Sequence, residues 1–298
     1  MTIANATPKE AIIDWLRSYL QIGRYFETLI DWLKATFPAV FNGIRTVLDS
    51  SISLFETILT FPADWIMILI LSFLAWWVCG WKKYGLALFS LLGFSLILIM
   101  GLWVHTMETL ALVMASTLLA LVIGIPVGIW AGRNAGAERA IRPVLDFMQT
   151  MPAFVYLIPA VLLFMLGKVP GAMATMIFAM PPCVRLTTLG LRQVPGEVLE
   201  ASDAFGATPL QQLFKVQLPM ALPSILAGVN QTIMLALSMV VIAALIGAGG
   251  LGGQVVRGIT RLRIDLGFES GIAIVILAMY LDRITHALGS RSALKQKG

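Results

Sequence analysis

The chain has 298 residues, 58% of them hydrophobic and 12% charged, with a mean hydropathy of +0.87. Soluble domains carry roughly a quarter of charged residues, so a water-soluble globule is excluded and lipid is the solvent for much of this surface. The net charge of +5 does not point to nucleic acid, because the basic residues cluster at the ends of apolar runs.

The N-terminus has no short apolar run followed by a small-residue cleavage site, so no removable signal peptide is expected. Residues 1–63 are expected to form an external amphipathic tail. Helical spacing relates Ile12, Trp15, Leu16 and Tyr19, then Phe26, Leu29, Ile30, Leu33 and Phe37, then Ile44, Val47, Leu48, Phe55, Ile58 and Leu59. Pro38 and Pro62 punctuate these pieces. Trp15, Tyr19, Trp32 and Trp65 suit a membrane interface, which favours helices lying on the bilayer over a small soluble bundle.

Seven spans follow: Asp64–Gly80, Tyr84–Val104, Glu108–Ala131, Val144–Leu166, Gly171–Leu189, Ala221–Ile246 and Gly271–Leu288. Each can cross a hydrocarbon core of about 30 Å at about 1.5 Å per residue, with some tilt. Trp65, Trp81, Trp103 and Trp130 fall near their ends, as an aromatic belt requires. The fold class is therefore an all-α polytopic membrane protein. Residues 64–104 hold two extra spans, 105–288 a five-span core near 108–131, 144–166, 171–189, 221–246 and 271–288, and 289–298 a C-terminal tail.

Alternate loops set the orientation. One set, with the tail, holds Lys82, Lys83, Arg133, Arg139, Arg142, Arg185, Arg192, Lys215, Arg283, Arg291, Lys295 and Lys297; the other holds Lys168, Arg257, Arg261 and Arg263. The first set is cytoplasmic by the positive-inside rule, which places the C-terminus in the cytoplasm and the N-terminus outside. Pro126, Pro152, Pro159, Pro181 and Pro182 fall inside spans, where the freed backbone groups need partners from neighbouring helices or water.

No catalytic constellation appears. His105 and His286 are far apart, Cys79 and Cys183 read as unpaired packing residues, and no metal-ligand spacing exists. A phosphate-binding G-x-x-x-x-G-K-[ST] loop is missing. Span interiors are expected to be nearly free of charge, with Glu108 and Asp146 at span starts, so the proton or ion site of a coupled carrier is not indicated.

The one long polar interruption of the second half is the loop 190–220, and Leu199–Pro219 is its centre. Val198, Ala201 and Phe205 share one helical face, while Glu197, Glu200 and Asp203 share another. Gly206 is placed to end this first helix in a left-handed turn. Thr208, Pro209 and Gln211 then supply an N-cap, a first-turn proline and a capping box for a second helix, expected to end before Leu218-Pro219. Such a pair suits a rigid plug for a partner's groove. Its acidic face disfavours mere contact with the negative cytoplasmic leaflet.

Here the sequence resembles a known family. Glu200-Ala201-Ser202, Gly206, Val216 and Leu218-Pro219 follow the E-A-A-x3-G-x9-I-x-L-P pattern of ABC importer membrane subunits, with Ser for the third position and Val for Ile. The strings from Asp146 to Pro159, Phe214 to Pro219, Ala227 to Thr232, Leu235 to Ala244 and Gly249 to Gly252 resemble the permeases of glycine betaine/proline betaine (choline-type) uptake. The resemblance runs from about Thr106 to Leu288.

It implies a type I ABC importer fold and a non-catalytic permease subunit that binds no cofactor, ATP and Mg being held by a partner ATPase. It also implies homodimers, an external substrate-binding protein and an inner-membrane location. The ATPase would dock on the coupling loop through Glu197, Glu200, Ala201, Ser202, Asp203, Gly206, Leu218 and Pro219. Choline or methionine as substrate would leave the mechanism intact; a stand-alone channel or ion-coupled carrier is the rival class.

Quaternary ammonium groups are recognised by aromatic cages, and the core spans carry Phe147, Phe154, Tyr156, Phe164 and Phe178. Candidates for the translocation path are Asn230, Gln231, Thr232 and Ser238, with interhelical hydrogen bonding as the competing role. Gly249, Gly250 and Gly252 are candidates for an external gate or docking rim.

Overall fold

The computed structural model describes residues 22–80 and 84–295. Ile12, Trp15, Leu16, Tyr19, Trp81, Lys82, Lys83 and Lys297 lie outside the described residues. The chain divides into two compact units, Met1–Ile44 and Arg45–Gly298. In the first, α1 (Ile22–Thr36) exposes Tyr25, Leu29 and Trp32, and Trp32 meets Phe37 edge-on.

Helix α2 (Pro38–Thr60) leads into the second unit, which continues through α3 (Asp64–Cys79), α4 (Gly85–Ile99), α5 (Trp103–Arg133), α6 (Ala135–Thr150), α7 (Leu157–Phe164), α8 (Lys168–Arg192), α9 (Gly196–Ala204), α10 (Pro209–Gln212), α11 (Leu218–Ala244), α12 (Gly250–Thr260) and α13 (Ile264–Lys295). Among the described residues, four helices are long and apolar enough to cross a membrane: α5, α8, the continuous stretch Pro209–Ala244, and Ile264–Leu288 of α13. Counting each bent pair, α2 with α3 and α6 with α7, as one span raises the number to six. Helix α4, at 15 residues, is shorter. It stops before the expected end at Val104, because Gly101 turns left-handed (φ 71°) and α5 starts at Trp103.

The segment 144–166, expected as one span, is two helices bent by 109°. The cause is local. Asn134 Oδ1 accepts from the Gly136 and Ala137 amides, so α6 starts well before Val144. Its end is set by Pro152, which drives Met151 into extended backbone (ψ 130°). The Tyr156 hydroxyl then donates to Met148 O across the bend. Asp146 consequently lies near the end of α6 rather than in the first turn of a span. Glu108 likewise lies inside α5 rather than at its start.

Lipid tails are as apolar as leucine, so helices in a membrane associate through close approach and hydrogen bonds rather than through expulsion of water. The packing of α5 on α8 follows this rule. Gly124, Gly128 and Gly132 form a small-residue stripe on α5. A methyl group at Gly128 would stand 2.6 Å from Thr187 Cβ and 2.8 Å from Val184 O. Thr188 Oγ1 uses the same proximity to donate to Gly128 O at 3.1 Å. On the other side of α8, Gly190 meets Ala221 and Ser224, and Gly228 meets Cys183, so α11 approaches as closely.

The extra helices are firmly integrated. Met67, Ile68, Leu71 and Ala75 of α3 and Phe94 and Ile97 of α4 share one buried cluster with Trp103, Leu277 and Tyr280. The Phe94 and Tyr280 rings pack edge to face at 4.9 Å, and the Tyr280 hydroxyl donates to Leu71 O at 2.9 Å.

Candidate functional site

The loop between α8 and α11 is built as two short helices. Helix α9 ends in a Schellman turn: Gly206 takes φ 73°, its amide donates to Asp203 O, and the Ala207 amide donates to Ser202 O. The capping box then forms. Thr208 N donates to Gln211 Oε1 at 2.9 Å and Gln211 N to Thr208 Oγ1 at 3.4 Å. The second helix does not stop before Leu218-Pro219, as the sequence suggested. It passes through a π turn at Leu213–Gln217 directly into α11, giving 36 continuous helical residues. A π turn relaxes the usual hydrogen-bond register where Pro219 cannot donate. The second half of the loop, from Pro209, is therefore one continuous rod with the span that follows it.

Gln212, which sequence reasoning did not single out, joins the two halves. Its Nε2 donates to Ser202 Oγ and Asp203 Oδ1 at 2.9 Å each and lies 3.3 Å from Leu199 O. The only hint in the sequence is its position one turn after Thr208. Leu213 and Leu218 anchor the base against Leu191, Ala221 and Ile225. Glu197, Glu200, Ala201, Asp203 and Gly206 are exposed, and Ser202 is half-buried. The face expected to be apolar is presented outward: Phe205 is 92% exposed, and Leu210 and Phe214 of the second half are exposed as well. Phe205 is thus a large apolar side chain left uncovered on a capped helix pair.

Along α11 the path candidates part company. Thr232 is buried and its hydroxyl donates to Gly228 O at 2.9 Å. Asn230 Nδ2 donates to Asp282 Oδ1 at 3.3 Å, and Thr285 Oγ1 donates to Asn230 Oδ1. Both residues thus face neighbouring helices. Asp282 is thus a half-buried carboxylate in α13, held by Asn230. Gln231 and Ser238 lie on the uncovered face, with Met220, Met234 and Leu245. The aromatics of the core form no cage, since Tyr156 packs edge-on against Phe178 at 5.7 Å, Phe164 is buried, and Phe147 and Phe154 point outward.

The glycine run starts α12. Gly249 and Gly250 take φ 79° and 63°. The Gly250 amide donates to Glu108 Oε2 at 3.3 Å and the Leu251 amide to Thr109 Oγ1 at 2.8 Å, so α5 supplies the missing acceptors of this helix N-terminus. At Gly252 any side chain would meet Val240 O at 2.3 Å. Gly250 and Gly252 are buried, and their geometry is that of close packing. The same Glu108 approaches Lys168 Nζ at 3.6 Å and His105 Nδ1 at 3.2 Å, while Lys168 Nζ meets Glu56 Oε1 at 2.6 Å.

A polytopic helical core that offers an outward-facing helix pair, its second half continuous with a central span, is a transport permease in form. Residues 124–292 match the family described as binding-protein-dependent transport system inner membrane component, and the chain belongs to that family. It is a multi-pass inner-membrane protein. It is 50% identical over 259 residues to the glycine betaine transport system permease protein OpuAB of Bacillus subtilis, covering 87% of this chain and 91% of that protein. It is also 50% identical over 263 residues to the glycine betaine/proline betaine transport system permease protein ProW of Escherichia coli, covering 88% of this chain and 73% of the relative. Among solved structures it is similar to the MetNI methionine ABC transporter in an inward-facing conformation, at TM-score 0.55 and 26% identity, over 63% of this chain and 95% of that one.

Proposed function

We propose that this chain is the non-catalytic translocation subunit of an ATP-driven importer of glycine betaine, proline betaine or a related quaternary ammonium osmoprotectant. It functions as a homodimer, with the loop 190–220 and the C-terminus in the cytoplasm and the N-terminus outside. An ATPase subunit that holds ATP and Mg docks on each copy through Glu197, Glu200, Ala201, Ser202, Asp203, Gly206, Leu218 and Pro219. A substrate-binding protein delivers the ligand from outside. The carrying observation is the exposed Phe205 on a clamped helix pair whose second half runs unbroken into α11. The substrate class rests on the names of the 50% identical relatives.

Movement of the docked ATPase would tilt α10 and α11 as one body, because the π turn leaves no flexible joint between them. The uncovered stripe of α11 with Gln231 and Ser238 would line the path once a second copy closes over it. Asn230 and Thr232 would serve that path indirectly, by holding α11 to its neighbours. Gly249, Gly250 and Gly252 would support an external rim by fixing α12 against α5 and α11.

The test is reconstitution. The purified chain alone in proteoliposomes should neither hydrolyse ATP nor accumulate labelled glycine betaine; adding the ATPase and the binding protein should produce uptake. Uptake by the lone chain would make it a channel or carrier. Selective uptake of methionine or choline by the full assembly would correct the substrate alone.

A further inference from the structure

Helices α6 and α8, with Ala131 of α5, line an open cavity of about 260 Å³ beside the cytoplasmic end proposed for α8. Arg142, Arg185 and Arg192 all line it, together with the apolar Ile141, Leu145 and Leu189. Two of the arginines are held in place from α6: Glu138 Oε2 lies 2.6 Å from Arg192 Nη2, and Asp146 pairs with Arg185. Glu138, Arg142 and Asp146 recur every four residues, so they share one face of α6. Among the described residues no carboxylate pairs with Arg142, which leaves the five charged groups with one uncompensated positive charge.

Topology alone accounts for basic residues at span ends, such as Arg133 and Arg139. It does not account for three arginines lining one cavity, two of them fixed by ion pairs. The surroundings are those of a bilayer boundary. Leu189 of α8, which lines the cavity, is apolar and exposed. Guanidinium donors match phosphate oxygens in pairs, and basic pockets between membrane helices are suited to anionic headgroups.

We propose that this cavity binds a phosphate group and that its source is the headgroup of an anionic phospholipid, with Arg142 as the principal donor and the acyl chains leaving past Leu189. The inference does not depend on the transport substrate.

The purified chain is reconstituted in phosphatidylcholine nanodiscs containing a minor fraction of phosphatidylglycerol, extracted gently, and the retained lipid is measured by mass spectrometry. Arg142→Ala should retain about fivefold less phosphatidylglycerol, the factor that corresponds to one basic residue at an anionic surface. Arg142→Lys should retain an intermediate amount, and Arg139→Ala, on the same helix but outside the cavity, should match the parent. Size-exclusion chromatography verifies that each variant is monodisperse, with Arg142→Gln replacing the alanine variant if needed. Equal retention by Arg142→Ala, or an equal loss in Arg139→Ala, would overturn the proposal. Inorganic phosphate that stabilises the parent but not Arg142→Ala in pure phosphatidylcholine, without phosphatidylglycerol retention, would assign the site to a soluble anion instead. Unchanged lipid retention with weakened binding of the ATPase subunit would assign Arg142 to that partner.

Discussion

Gln212 Nε2 lies 2.9 Å from Ser202 Oγ, and this contact joins the two halves of the loop into one body. The same nitrogen reaches Asp203 Oδ1 at 2.9 Å. Each such neutral hydrogen bond contributes about 1 kcal/mol, and the charged acceptor raises that. Gln212→Ala should therefore lower coupled uptake by about five- to tenfold, with membrane insertion unchanged. Wild-type rates of ATP-driven uptake in proteoliposomes containing this variant would remove the clamp from the mechanism.

Gly206 takes φ 73°, a value that proline cannot adopt and that costs other side chains about 1–2 kcal/mol. Nothing lies within 4 Å of a side chain placed there, so the strain is purely backbone. Gly206→Pro should abolish coupling while the protein still reaches the membrane. Gly206→Ala should reduce it partially. Normal uptake by the proline variant, measured in whole cells at matched expression, would count against the docking role of this turn.

The α5–α8 seam tolerates no side chain at Gly128, because one of its nearest neighbours is the backbone oxygen of Val184, at 2.8 Å. Overpacking of this kind costs about 1–3 kcal/mol. Gly128→Val should lower the thermal midpoint of the detergent-solubilised protein by several degrees or prevent its accumulation. Gly253→Ala, with open space around it, should leave the midpoint unchanged. A Gly128 variant as stable as the parent would mean that the two helices can separate freely.

Lys168 lies between Glu56 and Glu108, with its side chain 38% exposed. At that exposure solvent screens the pair, and an exposed ion pair contributes at most about 1 kcal/mol. Lys168→Met should therefore cost little, and Lys168→Met combined with Glu56→Gln should recover part of the loss in a thermal-unfolding cycle. Additive effects of the two changes would show that the contact adds nothing. Glu108→Ala should cost more than Lys168→Met, since Glu108 Oε2 also accepts from the Gly250 amide at the start of α12.

Much of this protein was legible from residues in order along the chain. Apolar runs required lipid, and the positions of Gly206, Thr208 and Gln211 dictated a turn and a capping box. These features depend on backbone sterics and on hydrogen bonds between near neighbours, which local sequence encodes. The bend at Pro152 was encoded in the same way, yet the apolar composition on both sides of it read as a single span. Hydropathy counts side chains and does not register the direction of the backbone.

Tertiary structure decided the rest, because it depends on which faces meet. Asn230 and Gln231 are adjacent in sequence and chemically alike, yet one bonds Asp282 and the other is exposed; a rotation of one residue around α11 separates them. Arg142, Arg185 and Arg192 read as topology signals until α6 folds against α8 and brings them to one cavity. The sequence by itself determined that this is a helical membrane protein with a capped helical loop. Only the packed structure joined the second half of that loop to α11 as a continuous rod, through a π turn whose Leu213 and Leu218 pack against Leu191 of the preceding span.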